Sequence, residues 1–201
     1  MRLSARLLPL VGVLFATAIA AVLLLPKGMQ TTLDIGPVTN ELCVVAPATP
    51  YDPSSGRALL APKSIPVDAR CPVCGMYPAR FPRWAAQTVF KDGASHYFDS
   101  PINLFVFLQR IDRYSRRYAL EDVAVSYVTD FETGQWIEAH HAFFVQGSTA
   151  FGPMRAADLP AFSTRTSVAI FSRSRGGKVL SFTQVTPELI QSMSRNTHHH
   201  H

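Results

Sequence analysis

The chain lacks the residue patterns on which most enzyme active sites are built. It contains no G-x-S-x-G nucleophile motif, no H-E-x-x-H zinc motif and no phosphate-binding glycine loop. Its carboxylates are scattered near turns, without a pair placed for acid–base catalysis. Arginines spread along the chain give a net charge of +5, without the basic stripe of a nucleic-acid binder. We therefore expect a protein with no catalytic turnover, no nucleic-acid ligand and no small-molecule substrate.

Cysteine is scarce as well, with three residues in a chain of 201. No second C-x-x-C pair is present to complete a four-cysteine zinc site. No cysteine directly follows the apolar N-terminal run, which argues against a lipid-bearing cysteine, and Cys43 stands well beyond it. The run His198–His201 is typical of a purification tag, and we exclude it from every metal argument.

Residues 7–25 carry no charge and predict a membrane-spanning helix. A helix of this length rises about 28 Å, close to the hydrocarbon thickness of a bilayer. Arg2 and Arg6 precede it, so the positive-inside rule keeps the N-terminus in the cytoplasm. A cleaved signal peptide is the alternative, because residues 16–20 contain A-x-A patterns, but the apolar run continues to Leu25. We expect a single-pass protein of the inner membrane whose soluble domain faces the periplasm.

Five segments follow from the distribution of apolar, turn-forming and proline residues. They are an N-terminal anchor (1–28), a proline-rich tether (29–66), a first folded half (67–130), a second folded half (131–190) and a tail with the histidine run (191–201). Proline-rich chain is stiff and extended, so the tether is expected to hold the folded part off the membrane.

The folded region predicts an α+β fold of two related strand–strand–helix–strand halves. In the first half we expect strands at 84–90 and 94–98 around an Asp92-Gly93 turn, a helix over 101–114, and a strand at 123–129. Ser100 and Pro101 mark the start of that helix. Its apolar face is predicted to carry Ile102, Phe105, Leu108 and Ile111.

The second half repeats this order more loosely. We expect strands at 136–137 and 142–146, a helix over 164–174 capped by Ser163 and stopped by Gly176-Gly177, and a strand at 178–182. The similar order of elements indicates an internal duplication.

The strongest chemical signal is the run Cys71-Pro72-Val73-Cys74-Gly75-Met76. It places three sulfur side chains within six residues, and Gly75 allows a sharp turn between two of them. Thiolate and thioether are soft ligands that suit copper(I), whereas a thioether is a poor ligand for zinc. This pattern favours a copper(I) site over a zinc site.

Other interpretations of this run stay open. Cys71 and Cys74 could form a disulfide in an oxidising compartment or act as a thiol–disulfide redox pair. They could also supply half of a structural zinc site completed by Cys43 or a histidine, and Met76 could be a core side chain.

Further candidate ligands lie later in the chain. Met154 follows Gly152-Pro153, in a loop where its thioether would be accessible to the cysteine loop if the two halves pack together. His96 lies on the predicted hairpin, and His140 and His141 adjoin a predicted strand, where neighbouring residues point to opposite faces.

Several segments together resemble the NosL family of nitrous oxide reductase copper-assembly proteins. CPVCGM is followed by WAAQTVFKDGASHYFDS and a helix, and HHAFFVQGSTAFGPM and the residues after it are similar to the second half of that family. The resemblance runs from about Arg70 to Pro187. It implies a fold of two related halves that binds one copper(I) and works beside an ABC-type assembly machine to supply an apo copper enzyme.

The resemblance also implies a ligand set. The family's C-x-M core falls on Cys74 and Met76, and the methionine of its glycine-containing loop falls on Met154. His141 or His96 would add a histidine ligand, and Cys71 would be an extra ligand, a transfer ligand or a redox lock. The missing lipid-bearing cysteine departs from many family members and leaves open an accessory subunit of a membrane copper enzyme. A thiol oxidoreductase that uses the C-x-x-C pair is a further alternative.

Overall fold

The structure is a computed structural model that describes residues 46–196. The predicted anchor at 7–25 and Cys43 lie outside the described residues. Within 46–196, no helix is both long and apolar enough to cross a bilayer.

The first of two antiparallel sheets has the strand order β2-β1-β3-β4. Its strands are β1 (Ala86–Phe90), β2 (Ser95–Phe98), β3 (Val123–Thr129) and β4 (Trp136–Glu138). The predicted Asp92-Gly93 turn is confirmed, because Gly93 has a φ of +81° and its N–H donates to the Phe90 carbonyl. The predicted strands agree with the observed ones to within two residues, because alternation and turn residues mark both ends.

The helix after β2 is shorter than predicted. Helix α1 spans Pro101–Gln109, and the chain departs from helical geometry at Arg110 before the single turn α2 (Ile111–Tyr114). The expected buried stripe is correct for Phe105 and Ile111, but Ile102 and Leu108 are only half-buried. Leu104 and Phe107 are fully buried instead. Because α1 packs against both the first sheet and the C-terminal helix, more than one stripe of it is covered.

A second antiparallel sheet has the order β6-β5-β7. It consists of β5 (Phe143–Gln146), β6 (Ala161–Phe162) and β7 (Lys178–Ser181), with helix α3 (Arg165–Arg175) packed against it. Thr164, not Ser163, caps α3, and its hydroxyl accepts from the Ser167 N–H at 3.0 Å. The Ser163 N–H donates to the carboxylate of Asp130 instead.

The prediction placed residues 136–137 in the second half, and this was wrong. Strand β4 pairs with β3 in the first sheet, because the tight turn at Gly134 (φ +74°) returns the chain beside β3. The second strand of the second sheet is β6, a two-residue strand too short to give a periodic signal. Once residues 136–138 are assigned to the first sheet, two series of elements have the same order along the chain: β1-β2-α1-β3 and β5-β6-α3-β7. The internal duplication itself stays a prediction.

A further helix, α4 (Pro187–Asn196), was missed by the sequence analysis, which placed a tail from residue 191. Ile190 and Met193 of this helix are buried in the main core. That core also contains side chains from both sheets, including Phe98, Val128, Phe144 and Leu180. The two sheets therefore share one apolar core.

The C-terminal part of the predicted tether lies against the first sheet. Gln87, a fully buried polar residue of β1, accepts from the Lys63 N–H at 2.9 Å and donates to the Lys63 carbonyl at 3.1 Å. Thr49 bridges to Ser95 of β2, and the Tyr127 hydroxyl donates to the Leu60 carbonyl. Residues 46–66 thus cover a sheet whose central strand is buried along its whole length.

Candidate metal centre

The segment Cys71–Met76 forms a closed loop that turns both cysteines to the same place. The Cys71 N–H donates to the Met76 carbonyl, and the Gly75 N–H donates to the Cys71 carbonyl, each at 2.8 Å. Gly75 has a φ of +76°, a left-handed conformation that favours glycine, so the sharp turn predicted at this residue is confirmed. Cys71 and Cys74 are both free thiols in this loop.

A carboxylate joins the two thiols. Asp99 directly follows β2 and precedes α1, and its ligand oxygen and the two cysteine Sγ atoms all lie within 4.8 Å of one another. The Cys74 thiol donates to Asp99 Oδ1 at 3.1 Å. Among residues 46–196, this is the one cluster of three or more His, Cys, Asp or Glu side chains with such spacing.

Asn103 holds two of these groups in place. It lies one turn after Asp99, and its Nδ2 donates to Asp99 Oδ1 at 2.9 Å and to Cys74 Sγ at 3.4 Å. The sequence analysis missed Asp99 and Asn103 as members of the site. Their i, i+4 spacing across the predicted start of α1 was the available signal, but such a pair is also common on solvated helix surfaces.

Two members of this cluster are buried, and one carboxylate oxygen has no hydrogen-bond partner. Cys71 and Asp99 are fully buried, while Cys74 is half-buried and closes the cluster toward solvent. Burial, the thiol of Cys74 and the negative charge of Asp99 together raise the pKa of Cys71. Asp99 Oδ2 is buried without a hydrogen-bond partner in the described part of the chain.

A cation fits this arrangement. It would compensate the unpartnered carboxylate oxygen, and it would relieve the repulsion that ionised thiols meet beside Asp99. Two sulfur donors make the set soft, which suits a thiophilic ion such as copper(I) or zinc better than magnesium or calcium.

The two predicted methionine ligands, Met76 and Met154, differ in burial and in the segment that carries them. Met76 belongs to the same closed loop, and its residue is partly buried. Met154 lies in a tight turn between the bridged residues Phe151 and Ala157, with 59% of its surface exposed. It is thus a loop methionine, not part of the core.

Asp158 fastens the Met154 turn to the start of α1. Its carboxylate is buried and accepts from the backbone N–H groups of Ile102 at 3.2 Å and Leu159 at 2.8 Å. Gly152 packs so closely on this carboxylate that an added Cβ would overlap it. Burial raises the pKa of Asp158 to about 7, and the nearby charge of Asp99 adds to that rise. The turn carrying Met154 is therefore tied to the helix that follows Asp99.

The histidine candidates do not join the thiol cluster. His96 is buried among aromatic rings, edge-on to Phe90 and Phe107, and burial lowers its pKa to about 4. His141 is exposed and lies 3.5 Å from the carboxylate of Glu138. Neither belongs to the cluster of Cys71, Cys74 and Asp99. In this geometry a carboxylate, and not a histidine, lies beside the two thiols.

The fold and this cluster define a small α+β protein with a buried thiol–carboxylate site of the kind that holds a soft metal ion. The NosL family model matches residues 62–190, and the chain belongs to the NosL family. This match begins within the segment that covers the first sheet and ends in α4.

Proteins similar to this chain carry the same family name. The copper-binding lipoprotein NosL of Stutzerimonas stutzeri is 28% identical over 129 residues, which are 64% of this chain and 67% of that protein. The copper-binding lipoprotein NosL of Achromobacter cycloclastes is 39% identical over 57 residues, 28% of this chain and 30% of that protein.

A solved structure shows the fold. The crystal structure of the copper chaperone NosL from Shewanella denitrificans superposes with a TM-score of 0.55 at 24% identity, covering 64% of this chain and 98% of that one. The mixed helix and antiparallel-sheet architecture is thus that of a NosL protein.

Proposed function

We propose that this protein binds copper(I) at the Cys71–Cys74 loop and delivers it to an apo copper enzyme, nitrous oxide reductase in the implied pathway, beside an ABC-type assembly machine. The observation that carries the proposal is the convergence of two free thiols and an unpartnered buried carboxylate oxygen. The names of the relatives, a copper-binding lipoprotein and a copper chaperone, support copper as the cargo.

Copper(I) is favoured over copper(II) by the donor set, because thiolate and thioether sulfur stabilise the reduced ion. In the proposal, Cys74 and Cys71 are the primary ligands. Met76 and Met154 complete the site from the two loops that flank it, and Asp99 balances charge or binds directly. A site with one half-buried ligand leaves room for an incoming ligand of the acceptor protein, which transfer requires.

A thiol oxidoreductase is less well supported. Its attacking cysteine needs a lowered pKa and access to solvent, whereas Cys71 is fully buried and its pKa is raised.

The test is an anaerobic titration of the full chain with copper(I) against a chromogenic chelator. Wild type is expected to bind one copper(I), and Cys74→Ser to lose at least about a hundredfold in affinity, because a hydroxyl cannot replace a thiolate. Asp99→Asn, which keeps the shape but removes the charge, is expected to lose about tenfold.

The exposed Met154→Ala is expected to weaken binding by a smaller factor, and Met193→Ala, a core methionine, serves as its control. Unchanged affinity in Cys74→Ser would remove the proposed site. Because thiols must lose protons to bind, the affinity is also expected to rise with pH.

We further propose that residues 7–25 anchor the protein in the inner membrane, with the copper domain in the periplasm. The proposal rests on the uncharged run and the arginines before it, and it replaces the lipid anchor that the relatives' names describe. Alkaline extraction of membranes is expected to leave the full chain in the membrane fraction. Release into the supernatant would contradict a spanning helix.

A further inference from the structure

The chain around the thiol loop is strongly basic. Between residues 53 and 91 the only acidic residue is Asp68. The same stretch contains the basic residues Arg57, Lys63, Arg70, Arg80, Arg83 and Lys91. This concentration of positive charge surrounds the cysteines, although the arginines of the whole chain show no single stripe.

Two of these arginines are held together at the base of the loop. Because the Cys71 N–H bonds to the Met76 carbonyl, the flanking residues Arg70 and Tyr77 lie next to each other. The Arg70 guanidinium donates to the Tyr77 hydroxyl, and its carbon lies 4.5 Å from the centre of the Tyr77 ring. The Arg80 guanidinium carbon lies 4.8 Å from the same ring centre, placed there by the 3₁₀ turn Pro78–Arg80.

Neither guanidinium is neutralised within the described chain. Among residues 46–196, the ion pairs use Arg110, Arg117 and His141, and no carboxylate lies within 4.0 Å of Arg70 or Arg80. Both residues are exposed. Two cations this near one ring are closer to each other than the screening length of about 10 Å at 0.1 M salt. They therefore repel each other, and an anion placed against them would remove the repulsion.

We propose that Arg70, Tyr77 and Arg80 form a docking surface for carboxylates on the protein that exchanges copper with this one. The surface is preorganised, because stacking on the ring restricts both guanidiniums before any partner arrives. A guanidinium matches a carboxylate through two parallel hydrogen bonds, which a lysine cannot provide. Since Arg70 directly precedes Cys71 and Tyr77 directly follows Met76, an acidic protein bound there would bring its own ligands close to the proposed copper loop. The inference rests on the proposed function.

The first experiment needs no copper. Binding of a fluorescein-labelled octaglutamate peptide to the metal-free full chain, in neutral detergent, is measured by anisotropy at 50 and 500 mM NaCl. Arg70→Gln/Arg80→Gln is expected to weaken binding at least fivefold at 50 mM, with the difference falling below twofold at 500 mM. The matched control Arg113→Gln/Arg173→Gln, which removes the same charge from other exposed arginines, is expected to change binding less than twofold.

Equal losses in the two double variants would show a general charge effect and overturn the proposal. So would a result in which Arg70→Gln/Arg80→Gln keeps peptide binding but loses binding to a soluble, short-chain phosphatidylglycerol, since the surface would then recognise lipid. Both double variants are first compared with wild type by thermal unfolding.

The second experiment measures the rate of copper(I) transfer from the loaded chain to a copper-binding peptide with an octaglutamate or an octaglutamine tail. For Arg70→Gln/Arg80→Gln, the transfer rate to the acidic acceptor is expected to fall at least fivefold, and the rate to the neutral acceptor is expected to match that of wild type. Equal rates with the acidic acceptor would contradict the docking role. Failure of wild type to bind copper would refute the proposed function and leave the peptide-binding result standing.

Discussion

At the scale of single residues, Asn103 fixes the geometry of the thiol–carboxylate cluster. Its side-chain amide donates to both Cys74 Sγ and Asp99 Oδ1, so one residue fixes the separation of two prospective ligands. The residues around Cys74 and those around Asp99 do not reveal that the two side chains meet, because they are 25 residues apart in the sequence. They come together only when β2 and α1 have formed. The sequence analysis therefore singled out Cys71 and Cys74, which lie in one short segment, and missed Asp99 and Asn103.

His96 gives a residue-scale prediction about pH. Burial lowers its pKa to about 4, so the native state keeps a neutral ring where the unfolded chain, with a pKa near 6.5, takes up a proton. The stability due to neutral His96 is therefore complete above pH 6.5 and is lost as pH falls from 6.5 to about 4. The loss is on the order of 3 kcal/mol.

Urea unfolding of the metal-free protein at pH 7.5, 5.5 and 4.5 measures this loss. As pH falls from 7.5 to 4.5, the free energy of unfolding of His96→Leu is expected to rise relative to that of wild type, because the variant lacks the loss due to His96. His141→Leu, which changes an exposed histidine, is expected to follow wild type. A difference between His96→Leu and wild type that is the same at all three pH values would contradict the contribution of His96.

At the scale of elements, the Asp158 carboxylate joins the Met154 turn to the first turn of α1. Its pKa is raised to about 7, so the folded protein holds the proton at pH values where the unfolded carboxyl has lost it. The contribution of Asp158 to stability is therefore expected to fall as pH rises from about 4 to about 7, in the opposite direction to the contribution of His96.

Asp158→Asn removes this ionisation and keeps one oxygen that can accept from Ile102 and Leu159. Relative to wild type, its free energy of unfolding is expected to increase steadily between pH 4.5 and 7.5. Asp112→Asn, on the exposed surface of α2, is the control. A difference between Asp158→Asn and wild type that does not depend on pH would show that the carboxyl titrates normally.

The elements themselves were largely predictable, and the exceptions have physical causes. The hairpin of β1 and β2 and the start of α1 carry strong local signals in Asp92-Gly93 and Ser100-Pro101. Strand β6 consists of two residues and is defined only by its pairing with β5, so no local pattern reveals it. Helix α4 was missed because its apolar residues Ile190 and Met193 are too few to give a clear local pattern. They are buried by packing against core residues from distant parts of the chain.

At the scale of the whole molecule, Phe105 connects the two sheets. The centre of its ring lies 5.1 Å from that of Phe144 of β5, in an edge-on contact, and 5.0 Å from that of Phe182. The helix that carries Phe105 packs on the first sheet. Phe105→Ala is expected to destabilise the described domain by about 3–5 kcal/mol, because it leaves a cavity in the shared core.

The same core predicts one cooperative transition. Urea unfolding followed by tryptophan fluorescence and by far-UV circular dichroism is expected to give coincident curves for wild type. Ile170→Ala, which truncates an exposed side chain of α3, is expected to change stability by less than about 0.5 kcal/mol. Separate transitions for the two probes would mean that the halves unfold independently.

The segment 46–66, which covers the first sheet, limits how far the folded domain can move from the proposed anchor. Since residues 46–66 run along the sheet, less than half of the predicted tether, residues 29–45, is left to span the distance from the proposed anchor. The volume that a leashed domain can search grows with the cube of the leash length, so this shortening reduces it roughly tenfold. With the proposed anchor, a tether of this length would keep the proposed copper site close to the bilayer surface. It would raise the domain's effective concentration toward a membrane-embedded partner and lower its access to one that diffuses freely.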